Sequence, residues 1–183
     1  GIKIILNTTE FLFCEKPLKE IFSNNESPVT YPIRCYTPYS AKLHNVNHFE
    51  FFNNLLSPDL RYHFDRGERH LHNYPNGAYH LGRHRTCNTN VGSTPDAQII
   101  WFGFYPMNDH LMNRKLQIQH KMTHYDKAHG FGFQHLYERE TIMSIINQKS
   151  KSGGNLKMAN PKLYNLISSM YGEFEDKPVV STP

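Results

Sequence analysis

Cysteine is scarce in this sequence of 183 residues, which holds three, at positions 14, 35 and 87. Their odd number and the lack of any CxxC spacing argue against a disulfide framework and against a cysteine-rich zinc knuckle. No apolar run approaches the roughly 20 residues that a membrane-spanning helix needs. We therefore expect a protein of a reducing compartment, cytoplasmic or delivered into a host cytosol, and not one of a membrane.

Net charge is also low, at +4 from 20 Lys and Arg against 16 Asp and Glu. This balance permits an anionic partner such as nucleic acid or a nucleotide, but it lacks the basic stripes of dedicated nucleic-acid binders. The motifs GxGxxG, Walker A and GxSxG are absent from the sequence, which argues against phosphate loops and a serine-nucleophile elbow.

Histidine is plentiful instead: 12 are present, and all lie between His44 and His135. Aromatic residues make up 13% of the chain, with 11 Tyr and 12 Phe, and they must supply much of the apolar burial. A chain of this length fits one domain with a core of its own, so we predict a single globular domain over residues 1–183.

The hydrophobic pattern predicts an α+β fold, with a mostly antiparallel sheet, a few short helices and a long central functional loop. Strands are expected at 2–14, 28–40, 98–107, 114–125 and 130–137, and helices at 18–22, 48–56 and 161–174, while 138–149 allows either. The prolines of 28–40 favour an edge position for that strand, because proline cannot donate to a central ladder.

Residues 66–97 show almost no aliphatic periodicity and carry four Gly, two Pro and four Asn. A connection of that length inside a compact domain is usually functional or disordered, and its histidines and tyrosines argue against disorder. Pro75-Asn76-Gly77 within it suits a tight type I′ turn. This loop is the leading candidate for the site.

The segment 114–125, in contrast, alternates strictly between apolar or histidine residues and polar ones. Period two predicts a half-buried strand with His120 and His124 on its inward face. If this strand borders the central loop, imidazoles from the two segments would meet around a shared cleft.

Such a cleft would hold what a metal-independent phosphodiester cleaver needs, namely a general base, a general acid and a cation for the phosphate. The catalytic candidates are His80, His84, His120 and His124. The candidates for substrate binding are Tyr79, Arg83, Arg85 and Tyr125, the arginines for phosphate and the tyrosines to orient or stack the substrate. The sequence thus favours a hydrolase or lyase acting on RNA or a nucleotide, without a cofactor.

A metal-dependent enzyme is the alternative, with Fe, Mn or Mg as the divalent ion. His63-Phe64-Asp65 with the distant His129 has the ligand types of a non-haem iron oxygenase site. His70-Leu71-His72 has the spacing found in HUH nucleases, but no tyrosine stands in the YxxxK context that those nucleases need, so no family membership follows. A third possibility is a non-catalytic binding module of viral or effector type, whose tyrosines and histidines form an interface.

Overall fold

The computed structural model describes four stretches of the chain, residues 1–42, 51–80, 84–93 and 97–172, with only the backbone at 65–67. The chain divides into two compact units. Unit 1 comprises Gly1–Pro38 and Tyr62–Gly103, and unit 2 comprises Tyr39–Arg61 and Phe104–Pro183. The expectation of a single domain stays a prediction.

Unit 1 is built on a sheet of four strands in the order β1-β4-β2-β3, counted over the described stretches. The strands are β1 (Glu10–Cys14), β2 (Thr30–Tyr39), β3 (Arg61–His72) and β4 (Ala97–Trp101), and a short helix, α1 (Leu18–Ile21), follows β1. β1 runs antiparallel to β4, with Glu10 opposite Trp101, whereas β2 runs parallel to β4, with Cys35 opposite Ile99. The sheet is therefore mixed, and it is mostly antiparallel.

The core of unit 1 lies where the central strands and the segments before them bring apolar side chains together. Its buried members are Phe22, Val29, Tyr31, Ile33, Cys35, Leu71, Ala97 and Ile99. β-Branched and aromatic residues dominate this set, as expected for side chains that pack on a pleated surface.

Unit 2 is helical. Its helices are α2 (Phe51–Asn54), α3 (Asp109–Lys121), α4 (His124–Ala128), α5 (Arg139–Ser150), α6 (Leu156–Ala159) and α7 (Pro161–Tyr171), with a 3-10 helix at Phe133–Leu136. Its buried cluster contains Tyr39, Met107, Met112, Ile142 and Ile146. In the parts of the chain that the structure describes, no helix is both long and apolar enough to cross a bilayer.

The α+β class is confirmed, and so are α1 and α7 and the helical alternative for residues 138–149. α7 begins at a clear signal, since the side chain of Asn160 accepts a hydrogen bond from Leu163 N and Pro161 is the first helical residue. The helix predicted at 48–56 ends two residues early, at Asn54, and its predicted residues 48–50 lie outside the described stretches.

The edge position predicted for 28–40 is wrong, because β2 lies between β4 and β3. On the side of β4 its prolines are compatible with this place, because that ladder pairs Cys35 and Tyr36. These two residues lie between Pro32 and Pro38, so neither proline is required as a donor there.

The strand predicted at 114–125 is wrong as well, because most of it belongs to α3. Asn108 caps this helix by accepting from Leu111 N at 2.9 Å, and Asp109 stands in its first turn. Leu, Lys, Gln, Arg and Met are strong helix formers, and burial of Met112 fixes the inward face. The alternation of side chains was therefore coincidental, and His120 is exposed rather than turned into a core.

The strands predicted at 2–14 and 98–107 are shorter, since β1 covers only Glu10–Cys14 and β4 ends at Trp101. Two further segments also differ from the expectation. The segment 130–137 forms turns and the 3-10 helix instead of a strand, with Gly130 and Gly132 at φ values of 69° and 67°. Residues 66–72, expected as part of the loop, extend β3. The sequence does not show this strand as an apolar pattern, because at Arg69 a buried salt bridge takes the place of an apolar side chain.

Candidate functional site

The central loop of unit 1 contains a β-hairpin that carries much of the predicted site. Its backbone pairs through Cys87 N to Ala78 O at 3.0 Å and His80 N to Arg85 O at 3.1 Å. A bridge between Tyr79 and Thr86 lies between these two bonds. We call residues 78–80 and 84–87 the hairpin; its tip, which includes the predicted phosphate ligand Arg83, lies outside the described residues.

One face of the hairpin is open to solvent. His80 and Arg85 stand opposite each other, and residues opposite each other in an antiparallel pair point to the same face. Nε2 of His80 lies 3.4 Å from Sγ of Cys87, which is on that face too. All three residues are exposed, so an imidazole, a guanidinium and a thiol share an accessible surface.

Beneath the hairpin lies a buried ion pair between Arg69 of β3 and Glu10 of β1. Arg69 Nη2 is 2.6 Å from Glu10 Oε1, and Arg69 Nε is 2.9 Å from Oε2. The backbone N and the side-chain Nδ2 of Asn7 donate to the same carboxylate. The bidentate geometry and the further donors are what a charge pair needs when it is removed from water.

The imidazole of His84 is held by the same guanidinium. Arg69 Nη1 lies 2.8 Å from Nδ1 of His84 and 3.3 Å from Nε2. A guanidinium has only donors, so the nearer nitrogen, Nδ1, accepts the hydrogen bond. In the neutral ring the proton is then on Nε2.

Tyr79 and His72 pack together on the inner side of the hairpin, with ring centroids 5.6 Å apart. Burial raises the pKa of Tyr79, so its hydroxyl stays protonated, and it donates to His70 O at 3.5 Å. This half-buried ring is less available to a substrate than the prediction assumed, although its role there stays a prediction.

His70 and His72, the candidate pair of metal ligands, lie two residues apart on β3 and are both buried. Neither ring nitrogen of His72 has a hydrogen-bond partner in the described part of the chain. Burial, then the Lys3 ammonium and then His70 lower the pKa of His72, so its ring is neutral at pH 7. Gly77 covers Nε2 so closely that a Cβ there would lie 2.6 Å from it.

The other predicted metal set is divided between the units, with His63 in unit 1 and His129 in unit 2. The side chain of Asp65 lies outside the described residues. Among the side chains that the structure does describe, no group of three or more His, Cys, Asp and Glu could hold a metal ion.

Unit 2 holds the remaining candidates. His120 lies in the last turn of α3, and His124 and Tyr125 begin α4; all three are exposed. Tyr125 stacks on His129 at 4.0 Å between ring centroids, and His129 stacks on Phe131 at 5.9 Å with an interplanar angle of 19°. We call these three rings the ring stack; Tyr125 is 62% exposed and Phe131 is 40% exposed.

His80 and His84 therefore belong to unit 1, whereas His120 and His124 belong to unit 2. The shared cleft stays a prediction. Reasoning from sequence missed Arg69 and Glu10, which are 59 residues apart, because nothing local indicates a long-range buried pair. It also missed the contact of Cys87 with His80, although a spacing of seven residues around a turn is compatible with a hairpin.

Comparison of the chain with protein-family models, with curated proteins and with solved structures finds no match.

Proposed function

We propose that the chain is a hydrolase or lyase that acts on a phosphodiester of RNA or a nucleotide by histidine acid–base catalysis, with its site on the hairpin of unit 1. The observation that carries the proposal is the open face on which His80 and Arg85 stand opposite each other. An imidazole there can act as a base and a guanidinium can bind phosphate, and His84 follows in the same element with its ring held by Arg69.

In this scheme His80 acts as the general base and takes the proton of the attacking hydroxyl, the ribose 2′-OH in the case of RNA. The oxygen attacks phosphorus, the bond to the 5′ oxygen breaks, and that leaving oxygen takes up a proton, for which His84, the other imidazole of the hairpin, is the predicted donor. Arg85 neutralises charge that develops on the phosphate oxygens. General acid–base catalysis of this kind contributes about a hundredfold or more to a rate, and a cation at the phosphoryl group adds electrostatic stabilisation.

His120, His124 and Tyr125 enter the proposal as a separate part, since they belong to unit 2. If they take part in the same reaction, removing either imidazole should lower the rate as strongly as removal of His80. If cleavage depends only on the hairpin, they should have little effect.

The test is cleavage of single-stranded RNA and of a DNA strand of the same sequence, with and without EDTA. We expect RNA to be cleaved, DNA to survive, and EDTA to have no effect. H80Q and H84Q should each lower kcat by about a hundredfold, with a bell-shaped pH profile in the wild type. H110Q is the matched control, because His110 is exposed on α3, outside the hairpin.

Loss of cleavage on chelation would instead favour the metal-dependent alternative, and full activity of H80Q and H84Q would contradict the hairpin scheme. The second candidate, a non-catalytic binding module, is favoured by the exposed ring stack of unit 2. Binding of a partner without turnover, lost in Y125A, would support it.

A further inference from the structure

The open face of the hairpin carries a nucleophile that the phosphodiester scheme does not use. Cys87 is exposed, whereas Cys35 is fully buried and Cys14 is partly buried. Burial raises the pKa of the Cys14 thiol, so that thiol forms its reactive thiolate less readily. Of the three thiols, Cys87 is therefore the one that a dissolved reagent meets first.

Cys87 also has a base beside it. The distance of 3.4 Å from Sγ to Nε2 of His80 allows the imidazole to accept the thiol proton. The thiolate is the form that attacks, so a neighbouring imidazole promotes attack. Arg85, opposite His80 on the same face, adds a cation that attracts an anionic reagent.

We propose that Cys87, His80 and Arg85 form a thiol–disulfide exchange site for small anionic disulfides, with Cys87 as the attacking thiol. His80 accepts the proton of the Cys87 thiol, and Sγ attacks one sulfur of the disulfide. The new S–S bond forms as the old one breaks, and the departing thiolate takes the proton from His80. The products are a mixed disulfide on Cys87 and one free small thiol, so no further oxidant or reductant is needed.

This site does not depend on the proposed cleavage of phosphodiesters, because adduct formation is measured directly. His80 serves both proposals, whereas Cys87 serves only this one. C87S should therefore lose the exchange reaction while leaving RNA cleavage as it is, which separates failure of one proposal from failure of the other.

The test is the rate of thiol exchange with two probes, the dianionic dithiobis(nitrobenzoate) and the neutral dithiodipyridine, with the modified residue identified by peptide mass. We expect one fast thiol in the folded wild type, located at Cys87 and absent from C87S. H80Q should slow both probes, by about tenfold, because it removes the proton acceptor.

The variant R85Q tests the role of charge directly. It should slow the dianionic probe by about threefold, the effect of one exposed charge in water, and leave the neutral probe unchanged. Added salt should weaken the preference of the wild type for the dianion. R114Q, which removes an exposed arginine on α3, is the matched control and should alter neither rate.

A fast thiol that persists in C87S, or an anion preference that R85Q and salt leave intact, would overturn the proposal. If R85Q slowed exchange with both probes equally, that would also count against the proposal, because it would indicate a distorted hairpin rather than a missing charge.

Discussion

Arg69 shows how one charged residue can occupy a position in a sheet that an apolar side chain would normally fill. Its side chain is 1% exposed and that of Glu10 is 0% exposed, yet the pair is compatible with burial because each carboxylate oxygen and three guanidinium nitrogens have partners. The same guanidinium orients His84. This residue therefore links the stability of the sheet to the geometry of the candidate site.

Breaking this pair from one side should be costly, because it leaves an uncompensated charge in the interior. We expect R69M and E10Q each to lower the free energy of unfolding by about 3–5 kcal/mol, as measured by urea denaturation. The double variant R69M/E10L should recover much of that loss. The exposed pair Arg139–Asp109, joined at 3.2 Å, is the control, and R139M should cost at most about 1 kcal/mol.

His72 predicts a dependence of stability on pH. Its folded pKa lies below the ordinary value of 6.5, because of burial first, then Lys3 and His70. As the pH falls through that ordinary value, His72 becomes protonated in the unfolded chain but stays neutral in the folded chain. The contribution of His72 to the free energy of unfolding therefore declines until the pH reaches the folded pKa. Tyr79, which packs on the ring, stays neutral in this range because burial raises its pKa.

We expect H72L to reduce the loss of stability between about pH 7 and about pH 5, measured by urea denaturation at each pH. At pH 7 the variant should be no less stable than the wild type, since two unpaired buried ring nitrogens are removed. H110L, at an exposed position, serves as reference and should keep the pH slope of the wild type. An unchanged slope in H72L would refute the assignment.

At the scale of elements, the capping residues indicated the type of secondary structure more reliably than the periodicity of the side chains did. The residues 114–121 alternate as a strand would, but Asn108 caps the segment and its helix formers make it α3. α7 had both signals, a one-sided apolar pattern and the sequence Asn160-Pro161, and it was predicted with the right start. Where the two signals disagree, the hydrogen bond at the cap is the better guide in this chain.

The Asn160 cap can be tested directly. N160A removes the oxygen that accepts from Leu163 N at 3.1 Å, and should lower the free energy of unfolding by about 1 kcal/mol. N165A changes the same residue type at an exposed position inside α7. There alanine is the better helix former, so the variant should be neutral or slightly stabilising. Equal effects of the two variants would argue against the cap.

The hairpin shows the opposite case, an element that the sequence indicated only in outline. The turn residues and histidines of the sequence indicate a functional loop here, but they predict the tight turn at Pro75-Asn76-Gly77. Gly77 does not have the positive φ that a type I′ turn requires, and it is needed because the ring of His72 leaves no space for a Cβ. The close approach of the His72 ring, five residues earlier on β3, therefore accounts for glycine at position 77 better than turn geometry does.

At the scale of the whole molecule, each unit has its own buried cluster, one around Ile99 and one around Ile146. We expect I99A and I146A each to cost about 2–5 kcal/mol, as for other large-to-small core changes. Hydrogen exchange measured by mass spectrometry should rise mainly in the unit that carries the substitution. M158A is the control, since Met158 is 76% exposed. A uniform rise across both units would show that they unfold as one.

The sequence by itself determined the α+β class and the helices α1 and α7. It also determined that histidines, arginine and tyrosine are concentrated in the hairpin region. These follow from local composition and periodicity, which act over a few residues. Only the tertiary structure decided that β2 is central, that β3 continues through 66–72, and that Arg69 holds both Glu10 and His84. The physical reason is burial: partners far apart in the chain supply the hydrogen bonds that permit a charge pair inside a sheet, and no local pattern encodes such partners or the order of the strands.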